Sequence, residues 1–365
     1  MLLSKLTLSS FRSYKSAEAL FDQGINYIEG ANGSGKSNLL EAIYLIGTGK
    51  SFRTSRLQEL IHQTQDKFSL EVVFYKEGID HKLTLFFSKE GRRILYNETP
   101  YSSFIPLLGL IPSIFSSPED ITIITGGPAE RRRFLDLHIA QSDPNYIYHL
   151  GRYQRALKQR NSLLKTHTTG FAPWEELMAV AACYITEKRI QTLLDLEKAS
   201  QKFLLHLSEQ KEPLQIKYSS SLHGSQKEPT LTPDFYIKSW ADMRAKELFY
   251  KTTLIGPHRD DILFSIRGQE IKSYCSEGQK RCCLSALRLA EWETLKSRLG
   301  IAPLFGVDDF GVHLDARRTF LLDQLLQEMG QVFLTAPSFP NKNGRHFIQT
   351  TEGSLTNNKL EVKAN

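Results

Sequence analysis

The sequence predicts an α/β fold. Both ends of the chain build one head with a glycine-rich loop and a β-rich lobe, and an α-helical domain is inserted between them. Three observations carry this prediction. Near the N-terminus a short apolar strand stops at a glycine-rich loop and hands over to a helix. Residues 68–96 alternate as a β meander. From Ala129 to about Tyr250 glycine becomes sparse and the apolar spacing turns helical, before strand-like, turn-rich sequence resumes at Thr253.

In order, Leu6 and Leu8 alternate with polar neighbours, and GINYIEG (24–30) reads as a strand ending at glycine. After Lys36, Leu39, Leu40, Ile43 and Tyr44 fall at helical spacing. LEVVFY, HKLTLFFS and RRILYN form the meander, and Gly and Pro recur over 104–128. Helices are expected over 129–143 and 146–165, from about Trp174 to about Glu209, and over 235–250, with a polar loop at 218–233. The boundaries expected are 1–129 with 251–365 for the head and 130–250 for the helical insertion.

The 365 residues suit two domains, and 41% hydrophobic with 24% charged residues excludes wholesale disorder. Four cysteines, Cys183, Cys275, Cys282 and Cys283, form no CxxC pair, which fits a reduced compartment better than a disulfide scaffold. The N-terminus has no apolar run of the signal-peptide kind, and no window reaches the roughly 18 apolar residues of a spanning helix. The expectation is a cytoplasmic protein without membrane association.

Gly30-Ala31-Asn32-Gly33-Ser34-Gly35-Lys36-Ser37 fits G-x-x-x-x-G-K-[ST] between a strand and a helix. Glycines let backbone N–H groups curl around phosphates, Lys36 neutralises the β- and γ-oxygens, and the Ser37 hydroxyl ligates Mg²⁺. A Mg²⁺ site needs a second carboxylate at another strand end, and LFGVDD (304–309) supplies one. Asp308 is expected to hold the metal and Asp309 to orient or deprotonate the attacking water. Gly306 is the weak point of this strand, since glycine there packs nothing. Ser276, Gly278 and Gln279 open a further helix and offer an anion cup, although a plain helix cap explains them equally well.

The order of P-loop, Ser-x-Gly-Gln helix start and Asp-Asp strand end is similar to that of ABC-type ATPases. That resemblance implies an ABC-type ATPase head in which the signature serine of one subunit closes over the γ-phosphate held by another. ATP then becomes part of a homodimer interface. Ser276 follows Lys36 by 240 residues, more than in solute-transporter ATPases, and the gap lacks the long coiled coil of SMC-type proteins. With its compact helical insertion the chain resembles the RecF family of DNA replication and repair proteins. The likeness runs through SFRSY (10–14), NLLEAIYLIGTGKSFRT (38–54), SPEDITIITGGPAERRRFLD (117–136), YQRALKQRNSLL (153–164), GPHRDD (256–261), SEGQKR (276–281), DDFGVHLDARR (308–318) and GQVFLTA (330–336).

The resemblance implies an ATP-gated DNA clamp that acts on single-stranded DNA and at double-strand/single-strand junctions, with RecO and RecR as partners in loading recombinase. Ser276 to Gln279 match the signature, Asp308 and Asp309 the Walker B pair, and Asp315 the D-loop aspartate at the dimer interface. Ser10 stands where the family usually has asparagine, and VHLD (312–315) replaces a more typical serine-glutamate version. Thr335 is followed by Ala336 rather than by the histidine that contacts γ-phosphate in transporters, which implies slow, weak ATPase activity.

The formal charge of +6 is concentrated over Glu130–Lys165, where eight bases meet three acids. Arg152, Arg155 and Lys158 fall at i, i+3 and i+6 and share one helix face, a pattern suited to DNA phosphates but equally to a solvated surface. Lys50, Arg53 and Arg56 extend this charge, and Arg131 to Arg133 alternatively serve the junction between domains. In GPHRDD, His258, Arg259 and two carboxylates crowd together. They read either as a turn whose charges cap and pair before a strand, or as a site from which Arg259 reaches nucleotide or a partner subunit. A nuclease and a non-hydrolysing structural adaptor are the competing functions.

Overall fold

The computed structural model describes residues 1–166, 169–208, 213–222, 231–312, 314–339, 346–351 and 353–359. Strands β1 (Leu2–Phe11), β2 (Tyr14–Leu20) and β3 (Ile25–Glu29) lead into helix α1 (Lys36–Thr48). Next come β4 (Lys67–Lys76), β5 (Ile79–Ser88), β6 (Gly91–Tyr96), β7 (Thr99–Tyr101) and β8 (Ser113–Ser116). The single turn α2 (Thr122–Thr125) precedes α3 (Pro128–Ala140), α4 (Pro144–Thr166), α5 (Ala172–Ser208), β9 (Gln215–Ser219) and α6 (Pro233–Tyr250). Then follow β10 (Asp261–Ile266), β11 (Gln269–Glu270), the single turn α7 (Ile271–Tyr274) and α8 (Glu277–Leu299). The chain continues through β12 (Leu304–Val307), α9 (Ala316–Gln327), β13 (Val332–Ala336), β14 (His346–Thr351) and β15 (Ser354–Lys359).

The chain divides into two compact units. The first comprises Met1–Asp120, His206–Glu209 and Ser285–Asn365, and carries two six-stranded sheets. One sheet, ordered β2-β1-β4-β5-β6-β7, is antiparallel throughout. Period-two burial builds it: in β4, Phe68, Leu70, Val72 and Phe74 point inward and alternate with residues that do not. In β1 the inward residues Leu3 and Leu6 are three apart, because a register shift between Leu3 and Lys5 inserts a residue.

The other sheet runs β15-β14-β3-β13-β12-β8, parallel from β14 to β8 with β15 antiparallel at the edge. Its central strand β13, VFLTA, is buried along its whole length, as expected of a strand covered on both faces. Leu39, Leu40, Ile43 and Ile46 of α1 join Leu70, Val72, Phe74 and Phe333 in one apolar core, so α1 packs against strands of both sheets.

The second unit comprises Ile121–Leu205 and Gln210–Leu284 and contains α3 to α6 with a small sheet ordered β11-β10-β9. Its boundaries differ from those expected at residues 130 and 250. The strand resuming after Thr253 pairs with β9, a strand not expected from the sequence, whose last two residues enter the expected polar loop: Asp261 pairs with Ser219 and Ser265 with Gln215. Arg131 holds Asp261 through two hydrogen bonds of 2.7 and 2.9 Å, and Arg189 donates to the Pro257 carbonyl at 2.7 Å. These bonds keep residues 256–266 with the helices. The loop segment 223–230 lies outside the described residues. Among the described residues no helix is long and apolar enough to cross a membrane.

Candidate functional site

The glycine-rich loop joins the C-terminal end of β3 to α1, whose first residue is Lys36. Gly35 caps this helix with no side-chain hydrogen bond and with φ at +113°, a left-handed region that glycine adopts without steric cost. A helix starting this way leaves its first N–H groups without intrahelical partners, a site suited to an anion. A Cβ on Gly35 would lie 2.7 Å from the Tyr14 hydroxyl, which donates to the Gly35 carbonyl at 2.9 Å. Asn38 donates to Ser13 Oγ at 2.9 Å, and Ser34 and Thr350 share a hydrogen bond between their hydroxyls. The loop is thus clamped by the β1–β2 turn and by β14. The buried Lys36 ammonium donates to the Gly30 and Ala31 carbonyls at 2.8 and 3.0 Å, using two of its three donors.

Asp308 and Asp309 follow β12, and one strand, β13, separates β12 from β3. Thr335 of β13 bridges the gap. Its hydroxyl donates to Asp308 Oδ1 at 2.7 Å and accepts from the Asp309 backbone N–H at 2.9 Å. Ser37, 271 residues away in sequence, donates to the same Asp308 Oδ1 at 2.9 Å. The Asp308 N–H donates to the Ser116 carbonyl at 2.8 Å, so β8 fixes the acid from the other side. Asp309 has φ at +53°, an uncommon conformation for a residue with a side chain, retained where neighbours over-determine it.

Burial raises the proton affinity of Asp308 above the usual carboxylate range and the Asp309 charge adds to this, while bonds from Thr335 and Ser37 and the Arg53 guanidinium oppose it. A divalent cation would supply compensating charge. The oxygens fit one: Ser37 Oγ and Asp308 Oδ1 are 2.9 Å apart, and neighbouring ligands of an octahedral Mg²⁺ are separated by about 3 Å. Among the described residues no three His, Cys, Asp or Glu converge on a metal position. Two protein oxygens completed by phosphate and water oxygens is the usual Mg²⁺ arrangement.

Gly306 does have a packing reason. A Cβ there would lie 2.3 Å from Cδ1 of Phe115 on the neighbouring β8, so the aromatic ring occupies the space a side chain would need. Gly306→Ala is expected to lower stability by about 1–3 kcal/mol through overpacking, measured as a shift in urea midpoint. An unshifted midpoint would show that the ring moves freely.

Ser276 and Gln279 form a reciprocal capping box in the second unit. The Ser276 N–H donates to Gln279 Oε1 at 2.8 Å, and the Gln279 N–H donates to Ser276 Oγ at 3.3 Å. Ser276 is exposed, and as an acceptor its hydroxyl keeps its own proton to donate, close to Gly278 in the first turn. Asp315 likewise caps α9, accepting from the Arg318 N–H at 2.9 Å. Residue 313 of the segment 312–315 lies outside the described residues.

The basic stripe is thinner than its sequence count. Arg155 and Lys158 are exposed on α4, and Arg152 is half-buried, donating to the Tyr148 hydroxyl at 2.9 Å. Arg160 is not on the surface. Completely buried, it bonds Glu175 at 2.8 Å, Glu247 at 2.6 Å and Thr253 Oγ1 at 2.8 Å. Arg131 is also buried, and pairs with Asp261 inside the second unit rather than at a junction between units.

In GPHRDD the structural explanation accounts for most of the charge. Asp260 accepts from the Tyr218 hydroxyl and from Ser221 N and Oγ, each at 2.6 Å. His258 lies between the Tyr153 hydroxyl at 2.7 Å and the Thr253 carbonyl at 3.2 Å, and burial pushes its pKa down to about 4. Arg259 alone in this motif keeps an exposed charged side chain. Tyr14, Thr335 and Thr350 are the site residues that sequence reasoning missed. A hydroxyl at the end of the otherwise apolar VFLTA was the available signal for Thr335.

Residues 2–339 match the family model described as the RecF/RecN/SMC N terminal domain. The chain is 42% identical over 337 residues to a DNA replication and repair protein RecF of Protochlamydia amoebophila, covering 92% of this chain and 94% of that one. It is 37% identical to the protein of the same name from Chlamydia caviae, covering 94% of each. The fold superposes with a TM-score of 0.91 and 31% identity on a recombination mediator protein, RecF-ATP in the RecFOR pathway, covering 98% of this chain and 97% of the other. With its P-loop, its Asp-Asp strand end and relatives matched over nearly their whole length, the chain belongs to the RecF family of DNA replication and repair proteins, with the ABC-type head fold.

Proposed function

We propose that this chain is an ATP-dependent DNA-binding repair protein whose ATP, held by the P-loop of one subunit and closed over by the signature serine of another, joins two copies on DNA. The observation that carries the nucleotide reading is the convergence of the Ser37 and Thr335 hydroxyls on one carboxylate oxygen of Asp308. It unites the end of the P-loop with the end of β12, the two ends a Mg²⁺–nucleotide complex has to bridge.

In this reading the backbone N–H groups of Gly30, Ala31, Asn32, Gly33, Ser34 and Gly35 cradle the phosphates, and Lys36 turns from its loop carbonyls to the β- and γ-oxygens. Ser37 and Asp308 would hold Mg²⁺, which would supply positive charge to offset that of the phosphates. Asp309 orients the attacking water and accepts its proton. Ser276, Gly278 and Gln279 meet the γ-phosphate of the partner with a hydroxyl proton and a helix N-terminus. Ala336 offers no imidazole to the γ-phosphate, so turnover is slow. Arg152, Arg155 and Lys158 contact DNA phosphates without reading bases. Support for ATP and for a place beside RecO and RecR comes from the relative solved as RecF-ATP in the RecFOR pathway. The setting is cytoplasmic, on single-stranded and gapped DNA.

The oligomeric state tests this. Wild type should become dimeric with ATP and Mg²⁺ by light scattering, Lys36→Ala should stay monomeric and bind nucleotide poorly, and Ser276→Ala should bind nucleotide yet stay monomeric. If ATP leaves the wild type monomeric, the sandwich mechanism is wrong.

A further inference from the structure

Helix α6 ends in an aromatic pair that the packing of the second unit does not use. Phe249 is 78% exposed and Tyr250 57% exposed, and their rings stand perpendicular with centroids 5.1 Å apart. Two adjacent aromatic rings left in water form a contiguous apolar surface of the kind that interaction sites use. The residues that follow are held firmly. Lys251 closes the helix in left-handed backbone, its N–H bonding the Glu247 carbonyl. Thr253 donates to Asn161 Oδ1 of α4 through its N–H at 2.8 Å and its hydroxyl at 2.7 Å. Arg259 donates to the Thr253 carbonyl at 3.2 Å and reaches the Thr252 hydroxyl at 3.5 Å.

Cations surround the anchor that follows the rings. Lys158 and Lys165 flank Asn161 on α4 at i−3 and i+4 and line, with Ser162, a cleft of about 480 Å³. Lys251 and Arg259 are exposed, the first directly after Tyr250 and the second bonded to Thr252 and Thr253. The acids that Arg160 brings to this joint, Glu175 and Glu247, are both buried and paired with it, at 2.8 and 2.6 Å. The partner that suits two exposed rings next to an anchor carrying four cations is a polyanion carrying flat apolar groups.

We propose that Phe249 and Tyr250 form a stacking platform for unpaired bases of single-stranded DNA, with Lys158, Lys165, Lys251 and Arg259 receiving the adjacent phosphates. In duplex DNA the base faces are covered by their neighbours, so the rings select unpaired strand while the cations serve either form. The anchoring at Thr252 and Thr253 fixes the backbone that presents the rings, which lowers the ordering cost on binding. The proposal rests on the reading of α4 as a DNA-contacting face and adds to it the residues that recognise unpaired bases and an assignment for Arg259.

The test uses the full chain with ATP and fluorescence anisotropy of a labelled single strand and of the corresponding blunt duplex. Phe249→Ala with Tyr250→Ala should weaken single-strand binding about 10- to 100-fold, with an unchanged salt slope and duplex affinity held within about two-fold. Phe249→Trp with Tyr250→Trp should restore single-strand binding. Arg155→Ala with Lys158→Ala should instead flatten the salt slope on both DNAs. Single-strand affinity unmoved by the alanine pair, or lost equally on the duplex, overturns the platform. An unchanged salt slope in the α4 variant overturns the α4 phosphate contacts on which the proposal rests, whereas failure of the alanine pair alone overturns the platform and leaves α4 as a DNA face.

Discussion

Asp309→Asn is expected to slow ATP hydrolysis by about two to four orders of magnitude while leaving ATP binding and ATP-driven dimerisation in place. The two adjacent acids differ in how they are held. The Asp308 carboxylate accepts from Thr335 and Ser37 at 2.7 and 2.9 Å, so its position is set before any ligand arrives. At Asp309 the backbone, with φ at +53° and its N–H on Thr335, fixes the residue and leaves the carboxylate as the chemically available group. Asparagine tolerates left-handed backbone as well as aspartate does, so the substitution removes a proton acceptor and little else. Single-turnover hydrolysis beside equilibrium nucleotide binding measures both halves. A rate within two-fold of wild type would assign the attacking water to another residue.

Arg160→Met should cost the second unit about 3–5 kcal/mol, the largest stability loss expected of any single change discussed. The substitution leaves Glu175 and Glu247 buried, with Arg244 as the remaining partner of Glu175 and nothing for the Glu247 oxygen that Arg160 held at 2.6 Å. It also removes a guanidinium lying 5.6 Å above the Trp240 ring. A buried ion pair is costly to break and cheap to replace whole, so Arg160→Met with Glu175→Gln and Glu247→Leu should regain much of the loss. Urea titration followed by tryptophan fluorescence reports it. A single variant within about 1 kcal/mol of wild type would mean that water already reaches these carboxylates.

What could be read from the sequence was what lies contiguously along it. The P-loop, the Asp-Asp strand end and the three meander strands each announce themselves within ten residues, and each has its element where expected. What was missed depends on partners distant in sequence. Arg160 and Arg131 looked like surface charge because Glu247 and Asp261 stand 87 and 130 residues away. The second unit keeps residues 261–266 because β10 pairs with β9, a strand of five residues too short to announce itself. Strand β8 has four residues, too few for a period to show, yet it explains Gly306 and supports Asp308. The Ser276–Gln279 cap shows a different limit. The bland and the functional readings of that motif describe the same two hydrogen bonds.

The strand order of the parallel sheet also dictates when this protein can be finished. Strand β3, which delivers the P-loop, ends at Glu29, but both its neighbours, β13 and β14, lie between Val332 and Thr351. During synthesis the phosphate loop therefore leaves the ribosome long before the strands that hold it upright, while the helices and small sheet of the second unit can close first. Nucleotide can be held only by a chain that is almost completely translated, so a truncated product would keep its helices and lack an ATP site.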